Sequence, residues 1–434
     1  MIDMLPDIVL LEIFDIYRGD PAVQFHVPHG PLPSSPWRWK TLTQVCGRWR
    51  DLIFQSPQRL DLRVVCTEST PTSLDTWPPF PINIICPHAM DEKGVENVAV
   101  ALERHDRISQ IYIDDIDGSA LKNLAAAMRG PLPALTDFDL GTSDKSVPVL
   151  PESFLGGSAP VLRHFSLWDI PFPSFPSFIL SATRIVYIGL FDIPHSGYIS
   201  PEMMATCLAA LPNLESLSIG FQSLPPRPSP TSLPPPTRAV LPVLTSLNLS
   251  GVSEYFEDFV DRIDAPLLNQ LSVVFLMDVV FGDIPRLLDF IGHTARLKPF
   301  NKASMEFSTQ EITMVLRSPT KFELEIVRET PGWRLSSMTQ IFSQHLPLLS
   351  HVEQLKIHED PAVDFMWDYD SDVDPSQWLE LFRLFVALQS LHVSKRLVPP
   401  ILPTLRGPTG ERIMDASPAL RNLYFEGHGR YEKR

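Results

Sequence analysis

Pro212-Asn213-Leu214-Glu215-Ser216-Leu217-Ser218-Ile219 is the stretch on which the reading of the fold turns. Its apolar residues follow the order apolar-x-x-apolar-x-apolar, and a proline stands two residues before the first of them. The last two apolar residues alternate with polar ones, the period of a half-buried strand. Proline cannot donate to a strand ladder, so it fits the approach to a strand better than the strand itself. The arrangement recurs at Pro133/Leu135/Phe138/Leu140, Pro160/Leu162/Phe165/Leu167, Pro242/Leu244/Leu247/Leu249, Pro266/Leu268/Leu271/Val273 and Pro418/Leu420/Leu423/Phe425. Four copies lack the proline: Ile108/Ile111/Ile113, Ile185/Ile188/Leu190, Val352/Leu355/Ile357 and Leu388/Leu391/Val393. In a chain that is 44% hydrophobic the bare pattern arises often by chance. A proline before six of the ten copies does not, since about one is expected even at this chain's doubled proline frequency.

Successive copies from Ile108 through 135, 162, 185, 214 and 244 to Leu268 begin 27, 27, 23, 29, 30 and 24 residues apart; from Val352 through 388 to 420 the steps are 36 and 32. This period and strand signature resemble the leucine-rich repeat. The resemblance implies one short strand and one return segment per unit, stacked into a continuous core. It also implies an Asn or Cys eight residues after the first apolar position. This chain has Ile116, Ser143, Ile170, Ile193, Gln222, Val252, Leu276, Asp360, Arg396 and His428 there, so the solenoid is expected to be irregular. Helical returns are expected over 118–128, 201–211 and 377–388, and extended or turn-like returns elsewhere. The span from Leu268 to Val352 leaves room for about two more units, with Phe322-x-Leu324-x-Ile326 as one. Insertions fall at 222–240, proline-rich, and 359–376, acidic. The proline-rich stretch reads as an insertion loop or as a docking site for a proline-binding module. Asp368-x-Asp370-x-Asp372 lacks the Gly and Glu of a calcium loop. In such an array the residues between the apolar ones line the concave, partner-binding surface: Tyr112, Asp139, Ser166, Ser218, Asn248, Ser272, Lys356, His392 and Tyr424.

The first sixty residues read differently. Leu5-Pro6-Asp7 opens a helix, with proline in the first turn and an acid at the positive end of the dipole. Through Tyr17 its polar residues Asp7, Glu12 and Asp15 share an arc of about 140°, leaving an unusually wide apolar face. Trp39, Leu42, Val45, Cys46, Trp49, Leu52 and Ile53 keep helical spacing and predict a second helix. Two short helices cannot cover that apolar surface between them, so the next domain or a separate partner must.

Leu5-Pro6-x-Ile8-x-x-Leu11-x-Ile13-Phe14 followed by Leu42-x-x-Val45-Cys46-x-x-Trp49-Arg50-x-Leu52 resembles the F-box, with a join at 56–78 similar to that of fungal, basidiomycete-type F-box proteins. The resemblance implies docking on the Skp adaptor, and through it a cullin, by Leu5, Pro6, Ile8, Leu11, Phe14, Val45, Trp49 and Leu52. Two departures stand out: a proline-rich insertion at 18–36, and Gly47 where a mid-helix glycine would cost about 1 kcal/mol. The alternative is a helical cap on the next domain with no outside partner.

The expected architecture is therefore α + α/β: a small N-terminal helical F-box at 1–56, a connecting segment with short strands at 57–100, and an irregular leucine-rich-repeat-like solenoid at 101–434. The function that follows is a substrate-recognition adaptor of an SCF-type ubiquitin ligase holding an unknown target protein. The alternative is an interaction scaffold outside any ligase. Thirty-six basic against 51 acidic residues give a net charge of −15, which argues against nucleic acid or an anionic membrane as partner. Four scattered cysteines, no basic start before an apolar run and no membrane-length apolar stretch point to a reducing cytoplasmic or nuclear setting. There is no phosphate loop, nucleophile elbow or metal-ligand spacing, so no enzyme, cofactor or metal is expected.

Overall fold

The computed structural model describes residues 5–18, 38–60, 62–70, 74, 78–144, 146–222, 238–275, 284–297, 300–308, 311–327, 331–343, 348–359, 375–406 and 417–426. Most of the proline-rich insertions at 18–36 and 222–240 and of the acidic one at 359–376 lies outside these residues. The chain divides into two compact units, Met1–Phe165 and Ser166–Arg434.

In the first unit α1 (Asp7–Arg18), α2 (Arg38–Thr43) and α3 (Gly47–Gln55) precede β1 (Val64–Cys66), β2 (Ile82–Cys86), α4 (Glu92–Leu102), β3 (Ile108–Ile113), α5 (Gly118–Ala127) and β4 (Asp137–Gly141). β5 (His164–Trp168) begins at the unit's end. β1 to β4 are neighbours in sequence order and run parallel. The connecting segment thus supplies two strands of the same sheet as the first recognised repeat, because Ile82, Ile84 and Cys86 are as apolar and as buried as Ile108, Ile111 and Ile113.

The second unit carries α6 (Phe175–Ile179), β6 (Tyr187–Ile193), α7 (Pro201–Leu208), β7 (Ser216–Phe221), β8 (Ala239–Val240), β9 (Ser246–Gly251), α8 (Ser253–Val260), β10 (Ile263–Asp264) and β11 (Gln270–Phe275). There follow α9 (Pro285–His293), β12 (Lys302–Phe307), β13 (Glu311–Arg317), β14 (Lys321–Val327), α10 (Pro331–Ser343), β15 (Gln354–Glu359), α11 (Pro375–Arg383), β16 (Ser390–Ser394), α12 (Val398–Arg406) and β17 (Asn422–Glu426). Its main sheet runs β6-β7-β9-β11-β14-β13-β12-β15-β16-β17, while β8 and β10 form a separate parallel pair. Strand, return and parallel strand repeat in register: Leu217 aligns with Leu247 and Leu271, and Ile219 with Leu249 and Val273, all nearly fully buried. Each such leucine withdrawn from water stabilises by about 2 kcal/mol. This is a leucine-rich-repeat-like architecture.

The proline signal has a direct structural cause. In all six copies the proline occupies the second position of a turn closed by a backbone bond onto the repeat's first apolar residue. The bonds run from Leu135 N to Leu132 O, Leu162 N to Ala159 O, Leu214 N to Leu211 O, Leu244 N to Leu241 O, Leu268 N to Ala265 O and Leu420 N to Ser417 O, at 3.1–3.4 Å. Proline's fixed φ suits that position, and its missing N–H is not called on there. Ile185, Val352 and Leu388 close the same turn without proline.

Four expectations are corrected. The helix expected from Trp39 to Ile53 is two helices: Cys46 is extended (φ −159°, ψ 168°) and starts α3 afresh. The carbonyls ending α2 are taken by side chains, Lys40 O by Thr43 Oγ1 at 2.8 Å and Thr43 O by Arg50 Nε at 3.0 Å. Gly47 consequently sits at the first position of α3, not mid-helix. The returns after β5, β11 and β14 are helical where extended or turn-like ones were expected, because Pro176, Pro285 and Pro331 stand in the first turns of α6, α9 and α10, where proline fits; the expected helix α7 begins likewise at Pro201. Glu257 of α8, itself buried, accepts from Arg286 N at 3.0 Å and Leu287 N at 2.8 Å and so caps α9.

The Leu268–Val352 span does hold two parallel strands, β12 and the expected β14, but β13 runs antiparallel between them. The missing Asn/Cys position is filled in another way as well. Ile116, Ile170 and Ile193 are buried, each preceded by an aspartate in the left-handed region: Asp115 (φ 55°), Asp169 (φ 59°) and Asp192 (φ 50°). Aspartate tolerates that conformation better than most residues, and it turns the chain so that the following isoleucine enters the core.

Candidate functional site

Two surfaces qualify. The first is α1. Leu10, Leu11 and Phe14 face the interior with Trp39, Leu42 and Ile53. Phe14 meets Trp49 edge-on at 4.8 Å. The helices also share aromatic packing with the sheet segment: Trp39 lies 5.8 Å from Phe80, Phe54 lies 5.9 Å from Phe80, and Trp39 Nε1 donates to Arg63 O at 3.0 Å. Arg48 holds α1 in place through Asp7 and the Leu5 carbonyl, both at 2.6 Å, and Arg59 pairs with Glu12 and Asp15.

The opposite side of α1 stays in solvent. Ile8 is 63% exposed and Ile16 80%, and Val9, Ile13 and Tyr17 lie on the same side of the helix. At 100° per residue these five span about 180°. Val45, in the turn between α2 and α3, is 57% exposed. Of the eight docking residues expected from sequence, Pro6, Ile8 and Val45 are exposed, and Leu5, Trp49 and Leu52 are half-buried. Leu11 and Phe14 are inside and cannot touch a partner, because the apolar arc is wide enough to serve two neighbours and these residues serve the chain's own core.

The second surface is the face of the strands turned away from the helices. Tyr112 and Asp139 are in register across β3 and β4. In the second unit Ser218, Asn248 and Ser272 align on β7, β9 and β11, and Lys356, His392 and Tyr424 align on β15 to β17. His392 stacks on Tyr424 at 4.4 Å, and Asn248 Nδ2 donates to Ser218 Oγ at 2.9 Å. Ser166 and Ser218 depart from the expected row, being buried rather than presented. Gly189 stands in register with Ser218, and the rings of Tyr187 and Phe191 fold over it. A Cβ there would come within 2.5 Å of Phe191. Phe191 in turn stacks on Trp168 at 3.8 Å.

One row over lies a constellation that sequence reading missed. In the first unit Asn83 Nδ2 donates to Gln110 Oε1 at 2.6 Å, and Gln110 Nε2 to Asp137 Oδ2 at 2.9 Å. His164 Nδ1 meets Asp137 Oδ1 at 2.5 Å, and Thr136 Oγ1 donates to Asp137 Oδ2 at 2.6 Å. Burial works against the Asp137 carboxylate, but bonds from His164, Thr136 and Gln110 outweigh it and hold the group down at about 2. The available signal was a polar residue two places after the first apolar one in each repeat.

The equivalent row of the second unit holds Lys302, Arg317 and Lys321. Beyond it, burial together with the neighbouring Glu311 and Glu323 carboxylates pushes Glu325 up to about 7.

Nothing among the described residues assembles a reaction centre. Burial pushes the Cys66 thiol up to about 11 and those of Cys86 and Cys207 to about 12, so these cysteines stay protonated and poorly nucleophilic. No described group of three or more His, Cys, Asp or Glu could hold a metal ion. No described helix is long and apolar enough to cross a membrane.

No protein-family model and no curated relative matches the chain. Among solved structures, the leucine-rich repeat-containing protein LegL7 from Legionella pneumophila is similar at 11% identity and a TM-score of 0.29, over 70% of this chain and 87% of its own. TLR13, in a complex with ssRNA13, is similar at 12% identity and a TM-score of 0.32, over 84% of this chain and 46% of its own. Both likenesses are too weak to carry an argument; the repeat assignment rests on this chain's own strand register.

Proposed function

We propose that the chain is a substrate-recognition adaptor of an SCF-type ubiquitin ligase. The outer face of α1, with Pro6 and Val45, docks on the Skp adaptor and thereby a cullin. The helix-free face of the repeat sheet holds a target protein. Ubiquitin transfer takes place on other subunits, and the chain contributes proximity, raising the target's effective concentration near the transfer machinery. The observation that carries this reading is the two-sided α1: one apolar side is consumed by the core, and five further apolar residues remain in water at the motif that resembles the F-box. Exposed apolar patches of this kind mark interaction sites.

Co-purification of the full chain with the Skp adaptor tests it. Ile8→Asp with Ile16→Asp should abolish association and leave the thermal midpoint unchanged, since both side chains are already solvent-exposed. Absence of association in the unaltered chain would sink the reading. The packing of Trp39 and Phe54 on Phe80 favours the second reading, in which the helices cap the sheet of a scaffold outside any ligase. A chain that binds no adaptor yet loses stability when Trp39 is replaced by Ala would establish that alternative.

A further inference from the structure

We propose that the first exposed row of the second unit's strands is a docking track for an extended, carboxylate-rich segment of a target protein, centred on Lys302, Arg317 and Lys321. The inference rests on the reading that the helix-free face receives a target, and it names the chemistry of that target.

The antiparallel strand creates the site. Lys302 on β12 stands opposite Arg317 on β13, and Arg317 stands opposite Lys321 on β14. Were β13 parallel, its last residue would lie at the other end of the sheet. Neighbouring strands are about 4.8 Å apart, so three cations fall within about 10 Å on one face. Like charges directly opposite one another destabilise a sheet. This trio occurs in a chain whose net charge is −15. Lys321 Nζ is held by Glu323 at 2.6 Å. Lys302 and Arg317 are exposed, and neither has an ion-pair partner among the described residues.

The row continues in register through Gln270 on one side and Gln354, Ser390 and Asn422 on the other, all able to donate hydrogen bonds. From Tyr187 on β6 to Asn422 on β17 the row contains no carboxylate. The acids lie to either side of it. Glu323 follows one row on, Glu306 and Glu325 stand two rows on, and Glu353 precedes Gln354. Glu306, Glu323 and Glu325 disfavour an anion farther along β12 and β14.

The occupant follows from the spacing. Alternate residues of an extended chain recur about every 6.8 Å on one side, so two such carboxylates fit within the roughly 10 Å from Lys302 to Lys321. The cations stem from three separate strands and do not converge on one point, which suits a chain laid across them better than a single phosphoryl group.

Fluorescence anisotropy of the full chain, with a labelled nonapeptide alternating Glu and Ser, tests the proposal. Saturable binding should weaken as ionic strength rises. Lys302→Gln with Arg317→Gln should weaken it about tenfold, while Lys122→Gln on α5 leaves it unchanged. Both variants alter exposed side chains, and equal thermal midpoints certify the fold; Lys302→Glu alone should also weaken binding. The proposal is overturned by absence of saturable binding, by equal affinity of the double variant, or by tighter binding of the same peptide carrying one phosphoserine in place of its glutamates. Adaptor association through α1 is read separately by co-purification, so failure of one is distinguishable from failure of the other.

Discussion

The same strand position behaves oppositely in the two units. In the first, Asn83, Gln110, Asp137 and His164 bond one another from strand to strand. In the second, the equivalent row holds Lys302, Arg317 and Lys321, like charges side by side that cannot bond one another. A polar row that satisfies itself rigidifies its sheet and has little left to offer a partner. A row of cations offers its donors outward and contributes little or nothing to stability. Polarity along a repeat face is therefore a poor guide to function until the bonds within the row are known.

Asp137→Ala should produce the largest effect in testing this contrast. It leaves Gln110, Thr136 and His164 without their shared acceptor and should cost about 2–3 kcal/mol, read as a lower urea midpoint and as faster amide exchange in β3 and β4. An effect under about 0.5 kcal/mol would remove the distinction between the rows.

Acid should erode the same feature without mutation. The Asp137 carboxyl is held at about 2 against an ordinary 3.8. A carboxyl depressed in the folded state stabilises fully above its unfolded value, and that stability is lost as pH falls through the folded one. About 2 kcal/mol should disappear between roughly pH 4 and pH 2, and Asp137→Asn should flatten that part of the profile.

Glu325 runs the other way. Its folded value is raised, to about 7 from 4.5, so the folded state holds the proton more tightly and stability should fall as pH rises from 4.5 to 7. Glu325→Gln should level the slope and be the more stable form at pH 8. A parallel profile for the two proteins would show that the Glu325 carboxyl is not raised in the folded state.

Arg317→Ala should have the smallest effect on stability, within about 0.5 kcal/mol and of either sign, because an exposed cation between two others is lost. Set beside Asp137→Ala it gives the contrast its scale.

Particular residues show why some of this could be read in advance. Leu211-Pro212-x-Leu214 specifies a turn through one fixed φ and a strand through three apolar positions, all local, and the turns at Leu135, Leu162, Leu244, Leu268 and Leu420 follow suit. The break before Gly47 was hidden because Trp39, Leu42, Val45, Trp49 and Leu52 stay in helical phase across it. The reversal at β13 was hidden because Ile312, Met314 and Leu316 alternate alike in a parallel or an antiparallel strand. The inward turn of Leu11 and Phe14 depended on which side of a broad apolar arc the sheet segment would claim.

Where strands start, how they repeat and that the first helix has more apolar surface than two helices can cover are all written along the chain. Those properties lie in dihedral preference and in periodicity, which act over a few residues. Strand direction between β11 and β15, the closing of one polar row and the exposure of another, and which half of α1 remains in water were set by packing between distant segments. Each of these depends on what stands one strand, about 4.8 Å, to the side, and that neighbour comes from dozens of residues away in the chain.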